Sequence, residues 1–138
     1  MTQIHSYLNF QGNTREAMGY YAGILGGEVS FQTIGESPIA GQCPAAMQHQ
    51  VLHSTLSKNG VLLIMASDMI GPEGFTKGNN ISLSVNCSSE EEINHFFNKF
   101  SADGKVIDPL KKQFWGAIFG VVNDKYDIRW LFNYQEKQ

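Results

Sequence analysis

Cysteine is scarce in this chain. Cys43 and Cys87 are the only two, far apart and in no CxxC spacing. That excludes a disulfide-built scaffold and a paired-thiol redox or metal motif, and it points to free thiols in a reducing, cytoplasmic compartment. Charge is also sparse, at 17% of 138 residues, with 10 Lys and Arg against 13 Asp and Glu for a net charge of −3. A nucleic-acid surface needs clustered cations. The single short basic cluster, Lys111-Lys112, reads as a solvated surface pair, so no nucleic-acid partner is expected. No apolar run approaches the roughly 18–20 residues that span a bilayer, and no membrane partner is expected either. Met1 to Phe10 lacks a basic n-region and a long apolar core, so no signal peptide is expected.

What is present is apolar and aromatic. Hydrophobic residues make up 42% of the chain, and the length suits one domain with one real core. The stretch from Phe114 to Asn133 reads as a hairpin. Phe114 to Val122 is aromatic, β-branched and interrupted by glycine, and Asn123 to Asp127 supplies turn chemistry. Ile128, Trp130 and Phe132 then alternate with Arg129, Leu131 and Asn133, the period of a half-buried strand. The bulky set belongs against a helix layer, which sends Arg129 and Asn133 to the other face.

Further back, the chain repeats itself. Ile4 to Phe10 alternates as a strand, Gln11 to Thr14 turns, and Asn13 or Thr14 caps a helix carrying Ala17, Tyr20, Tyr21, Ile24 and Leu25. Gly26-Gly27 stops that helix through positive φ. Strands follow over 28–34, 48–57 and 61–66, with a long mobile loop at 35–47 and a tight turn at Lys58-Asn59-Gly60. The pattern then returns. Ile81, Leu83 and Val85 alternate, acids open a helix at Glu90 to Glu92, Phe96-Phe97 stands where Tyr20-Tyr21 stood, and Gly104 ends the helix. One strand–helix–three-strand unit is too small to close a core, whereas two make eight strands and two helices. The expected fold is therefore α+β: two tandem βαβββ modules forming a cupped, mostly antiparallel eight-stranded sheet with helices on its outer face. A single domain over 1–138 is expected, with modules at about 1–70 and 76–138.

YLNFQGNTREAMGYY, LLIMASDM, GNNISLSVN and FWGAIFGVVNDKYDIRW resemble the PhnB-like branch of the vicinal-oxygen-chelate superfamily, which includes glyoxalase I, extradiol dioxygenases and bleomycin-resistance proteins. The resemblance covers nearly the whole chain. It implies a glyoxalase-like fold, a homodimer and a small-molecule ligand. Some PhnB-like proteins carry a ubiquinone-methyltransferase label, but the sequence shows no Gly-rich turn after a first strand in a parallel α/β pattern. Metal-dependent members of the superfamily place four ligands in the cup, two per module. The matching positions here hold His5, Ile64 or Met65, Asn80 and Leu131, which is one strong ligand of four. No metal or other cofactor is expected by default, with a rearranged site using His5 and His53 as the alternative.

The residues expected to line the cup are His5, Tyr7 and Asn9 from the first strand and His53 and Thr55 from the third. Asn80 and Ser82 come from the fifth strand, and Arg129 from the last. Trp115 is a further candidate, although the inward set of its strand is not fixed by the pattern. An aromatic wall with a few convergent polar groups suits a small molecule. His53 is the candidate acid–base group, because imidazole titrates near working pH. Arg129 would anchor a carboxylate or phosphate through its forked donors. The readings that follow are a binding or sequestering protein, a glyoxalase-like enzyme with an atypical metal site, and a dimeric scaffold.

Overall fold

The computed structural model describes residues 1–69 and 71–136. The chain divides into two compact units, Met1–Thr76 and Lys77–Gln138.

The first unit runs β1 (Tyr7–Asn9), α1 (Thr14–Leu25), β2 (Glu28–Thr33), β3 (Val51–Lys58) and β4 (Val61–Ser67). Its four strands lie in the order β1-β4-β3-β2. β1 and β4 are parallel, and the other pairs are antiparallel. α1 packs on β2, β3 and β4. It buries Thr14, Ala17, Met18, Tyr21 and Leu25, the helical spacing expected of a one-sided helix. Gly27 has a φ of +105°, and a Cβ there would run into the Ser57 carbonyl. The helix stop therefore needs glycine twice over, for its conformation and for space. The β3–β4 hairpin turns on Asn59 and Gly60, both at positive φ (52° and 77°), the turn that matches strand twist.

The 35–47 loop is more structured than its composition predicts. It contains three 3-10 turns. Thr33 and Glu36 form a reciprocal capping box, with the Thr33 hydroxyl donating to the Glu36 carboxylate at 2.7 Å. That hydroxyl, followed by the Thr33 N–H, holds the Glu36 carboxyl below its ordinary range. The Gln48 amide donates to the Ala40 and Cys43 carbonyls across the loop. The first strand is shorter than its alternation suggests. It begins at Tyr7 rather than Ile4, and Ile4 is 96% exposed. Pairing with β4 reaches back only to the Ser6 carbonyl, and an alternating pattern without a partner strand does not become a strand.

The second unit repeats the plan with β5 (Leu83–Asn86), α2 (Glu90–Asp103), β6 (Lys105–Lys112), β7 (Ala117–Asn123) and β8 (Arg129–Gln135), in the order β5-β8-β7-β6. Again the outer first strand is parallel to the last, and the rest is antiparallel. The βαβββ repeat is thus real, and its eight strands are hydrogen-bonded as two four-stranded sheets. Ser89 caps α2 by accepting from the Glu92 N–H, while the Glu92 carboxylate accepts from the Ser88 N–H. Three acids in the first turn add to this through the helix dipole. Ile93, Phe96, Phe97 and Phe100 form the buried stripe of α2. Phe100 meets Trp130 at 4.8 Å and Phe132 at 5.4 Å between ring centroids. Close approach of helix and sheet depends on Gly120, where a Cβ would fall 2.6 Å from Phe97.

Two expected boundaries move. β5 starts at Leu83, which leaves Asn80 and Ser82 ahead of it and exposed. β7 starts at Ala117, so Phe114 and Trp115 lie in the β6–β7 turn, closed by Gly116 N–H to the Gln113 carbonyl with Gly116 at a φ of +91°. Positive φ at Gly116 is incompatible with an extended strand running back to Phe114.

Candidate functional site

In each unit the helix covers one sheet face, and the alternate side chains form an open face. In the first unit Ser54, Leu56, Ile64 and Ala66 point to the helix side and are buried. Tyr7, Asn9, His53 and Thr55 take the other side. Tyr7 pairs with Met65 and Met65 with Thr55, which puts the three in one cross-strand row. Tyr7 and His53 are brought together: the phenol oxygen lies 3.1 Å from His53 Nδ1, and the rings stack at 5.7 Å. In the tautomer that accepts the phenol proton at Nδ1, the imidazole carries its own proton on Nε2. Asn9 Oδ1 accepts from the Ser67 hydroxyl at 3.3 Å. This face is a mixed aromatic and polar surface with one titratable pair.

His5 does not join it. It lies ahead of β1, exposed, with Nε2 3.1 Å from the Gln3 side-chain oxygen. Among the positions matching superfamily ligands, Ile64 is buried on the helix side, Asn80 is exposed ahead of β5, and Leu131 is half-buried in β8. Among the described residues no three His, Cys, Asp or Glu side chains gather as a metal site would require.

In the second unit Trp130 and Phe132 are buried at 2% and 0% exposure under α2. Arg129, Leu131 and Asn133 therefore take the open face, paired with Asn123, Val121 and Phe119 of β7. Trp115 reaches this face from the turn, with its ring 6.2 Å from Phe119, while remaining 49% exposed. Arg129 is half-buried and makes no hydrogen bond or ion pair among the described residues. Asp127 pairs with Lys77 at 3.8 Å. Asp68 is buried, bonded to Thr14 and Val51.

The sequence leaves Asp68 in a loop, as a cap or a solvated side chain, and marks Asp124 only as the Asp four residues after FWGAIFG; it does not reveal either as an anchor. Both are buried, and each accepts at least three hydrogen bonds. Asn123, in the open face beside Arg129, has a buried side-chain oxygen without a hydrogen-bond partner among the described residues. From the sequence alone, Asn123 is only turn chemistry.

Both cysteines are free. Burial, followed by the nearby Glu92 charge, pushes the Cys87 thiol up to about 12. It is protonated throughout the range of ordinary alkylation, and the thiolate is the reactive form. Iodoacetamide at pH 8 should therefore label half-buried Cys43 and leave buried Cys87 unmodified until the chain is denatured. Peptide mass mapping reads the order, and equal labelling of both in the native protein would contradict it.

Residues 2–132 match the protein family described as 3-demethylubiquinone-9 3-methyltransferase. The chain belongs to that family. Protein YjdN of Escherichia coli K12 is 30% identical over 96% of this chain and 95% of its own. The crystal structure of PA1353 from Pseudomonas aeruginosa is 33% identical, with a TM-score of 0.84, covering 99% of this chain and 100% of that one. The Bacillus cereus PhnB protein is 30% identical with a TM-score of 0.72, covering 96% and 99%. This is a PhnB-like protein with the fold of the glyoxalase/bleomycin resistance/dioxygenase superfamily. The family description names a methyl transfer. Neither sheet is the parallel, doubly wound sheet with a glycine-rich first turn that nucleotide-derived cofactors commonly use. No helix among the described residues is long and apolar enough to cross a membrane.

Proposed function

We propose that this PhnB-like protein binds a small organic anion on the open face of its second sheet, with Arg129 as the anchor. The carrying observation is a half-buried Arg129 that has no carboxylate partner among the described residues. Partly enclosing a charge without a partner is costly, and the forked donors suit a carboxylate or phosphate. Phe119, Val121 and Leu131 on the same face offer apolar contact for a carbon skeleton. The superfamily's metal chemistry is not part of this reading. The matching donor set of His5, Ile64 or Met65, Asn80 and Leu131 contains one imidazole and otherwise weak or non-ligating groups. Thermal-shift and fluorescence titrations of a panel of small organic acids and phosphate esters test it. Arg129→Ala should weaken any hit about 10- to 100-fold, the size of one or two charge-assisted hydrogen bonds. Unchanged affinity in Arg129→Ala, or hits confined to neutral and cationic compounds, would remove Arg129 as an anion anchor.

A second reading, turnover of a compound on the open face of the first sheet, is favoured by the Tyr7–His53 contact. A hydroxyl bonded to one imidazole nitrogen leaves the other available to exchange a proton with a substrate. We also propose a cytoplasmic homodimer. Each open sheet leaves edge strands to be covered, and Phe114 in the β6–β7 turn is 97% exposed. Light scattering at micromolar concentration should give twice the 15.4 kDa chain mass. A monomer mass rejects the dimer and leaves the anion site standing.

A further inference from the structure

We infer that the anion held by Arg129 carries an aromatic ring at the far end of a flexible chain, and that Trp115 and Phe119 receive the ring. This rests on the anion site proposed above and specifies its ligand class. The open face of the second sheet changes character along β8. Arg129 stands at the start of the strand, Leu131 follows on the same face, and Asn133 pairs with Phe119 of β7. Four residues of strand separate the Arg129 row from the Phe119 row, about 13 Å at about 3.4 Å per residue. Leu131 is half-buried between them. The acid paired opposite Val121, Asp108, lies on β6, two strands away from Leu131. A chain lying along β8 therefore meets Leu131 and avoids the Asp108 carboxylate.

The far end of the face is aromatic and only partly covered. Gly116, at a φ of +91°, makes the turn that brings Trp115 over the face instead of along the strand. The Trp115 ring lies 6.2 Å from that of Phe119 and is inclined to it at 64°. Trp115 remains 49% exposed, and Phe119 is half-buried. Two rings set edge to face can take a third in the same manner on the exposed Trp115 surface, and such a contact adds to simple burial. Arg129, Leu131, Phe119 and Trp115 all keep accessible surface, so one ligand on this face can touch each of them. A compact anion would satisfy Arg129 and leave the aromatic end bare. The ligand class is an aryl-alkyl carboxylate or phosphate, with several bonds between charge and ring.

Calorimetric titration of the full chain with phenylacetate, 4-phenylbutyrate, 6-phenylhexanoate and 6-cyclohexylhexanoate tests this. Affinity should rise at least about tenfold from phenylacetate to 6-phenylhexanoate, as added methylenes cover Leu131 and the ring reaches Trp115. 6-Phenylhexanoate should bind about threefold or more tighter than its saturated counterpart, the size of one aromatic pair. Trp115→Ala should cut the rise along the series to about threefold or less, while Trp115→Phe should keep most of it. Arg129→Ala should weaken every member alike. Equal affinity along the series, a rise that survives Trp115→Ala, or no preference for phenyl over cyclohexyl overturns the aromatic end and leaves the Arg129 anchor standing. If none of the four binds while other small organic acids do, the aromatic inference falls alone. If no organic acid or phosphate ester binds, or Arg129→Ala binds the whole series as tightly as the unmodified protein, both readings fall.

Discussion

Asp124→Ala should destabilise the protein by about 3–5 kcal/mol, a large share of the roughly 5–15 kcal/mol that holds a typical domain together. Asp124 is 4% exposed, at the start of the turn between β7 and β8. Its Oδ1 accepts from the Tyr126 and Ile128 N–H groups at 2.8 and 3.0 Å, and its Oδ2 from the Trp130 indole at 2.8 Å. One side chain therefore closes the turn and fixes the indole that packs against Phe100. Truncation leaves at least three donors facing a void, and each unsatisfied donor costs about 1–3 kcal/mol less whatever water can enter. Asp124→Asn keeps the shape but places an NH2 group near either the turn or the indole, with a smaller expected loss of about 1–3 kcal/mol. Urea denaturation measures both. Trp130 is buried and Trp115 is half-exposed, so red-shifted native emission in Asp124→Asn would mark the loosened indole. A loss under about 1 kcal/mol for Asp124→Ala would mean the turn holds without its carboxylate.

Most of the architecture was legible because it rests on period and punctuation. The helix-facing set of Trp130 and Phe132, the Gly26-Gly27 stop, the Asn59-Gly60 turn and the two-fold βαβββ plan are all local patterns, and all are present in the fold. Strand ends were less legible, because an edge strand extends only as far as its partner. Ile4 and Ile81 alternate correctly, yet both are exposed, at 96% and 76%. Phe114-Trp115 looked like strand because aromatics favour strands, but Gly116 at positive φ makes the pair a turn. The candidate site was partly legible. Parity placed Tyr7, His53, Thr55 and Arg129 on open faces, whereas their neighbours across strands depend on register. Asn123 beside Arg129, and Tyr7 against His53 at 46 residues' separation, follow from pairings that no local window contains.

Asp68 caps from a distance: the sequence reads it as a loop residue that caps or solvates, without showing which helix it serves. The sequence offers Asn13 or Thr14 as the cap of α1. Asn13 makes no side-chain cap hydrogen bond. The work falls to Asp68, 54 residues downstream, whose Oδ1 accepts from the Thr14 N–H at 3.0 Å and the Thr14 hydroxyl at 2.6 Å. Its Oδ2 accepts from the Val51 N–H at 3.0 Å. The carboxylate thus ties the start of α1 to the start of β3 from the end of β4, and its charge faces the positive end of the helix dipole. Asp68→Ala should cost about 3–4 kcal/mol, since three buried donors lose a charged acceptor. Asn13→Ala should cost less than about 0.5 kcal/mol, because no capping bond is lost. In a double-mutant cycle, Thr14→Val and Asp68→Ala should couple by about 1–2 kcal/mol, reflecting their shared hydroxyl–carboxylate bond. Urea midpoints for the four proteins decide the matter. A larger loss for Asn13→Ala than for Asp68→Ala would return the cap to the local residue. Strict additivity of Thr14→Val and Asp68→Ala would mean that the 2.6 Å hydroxyl contact contributes nothing to the staple.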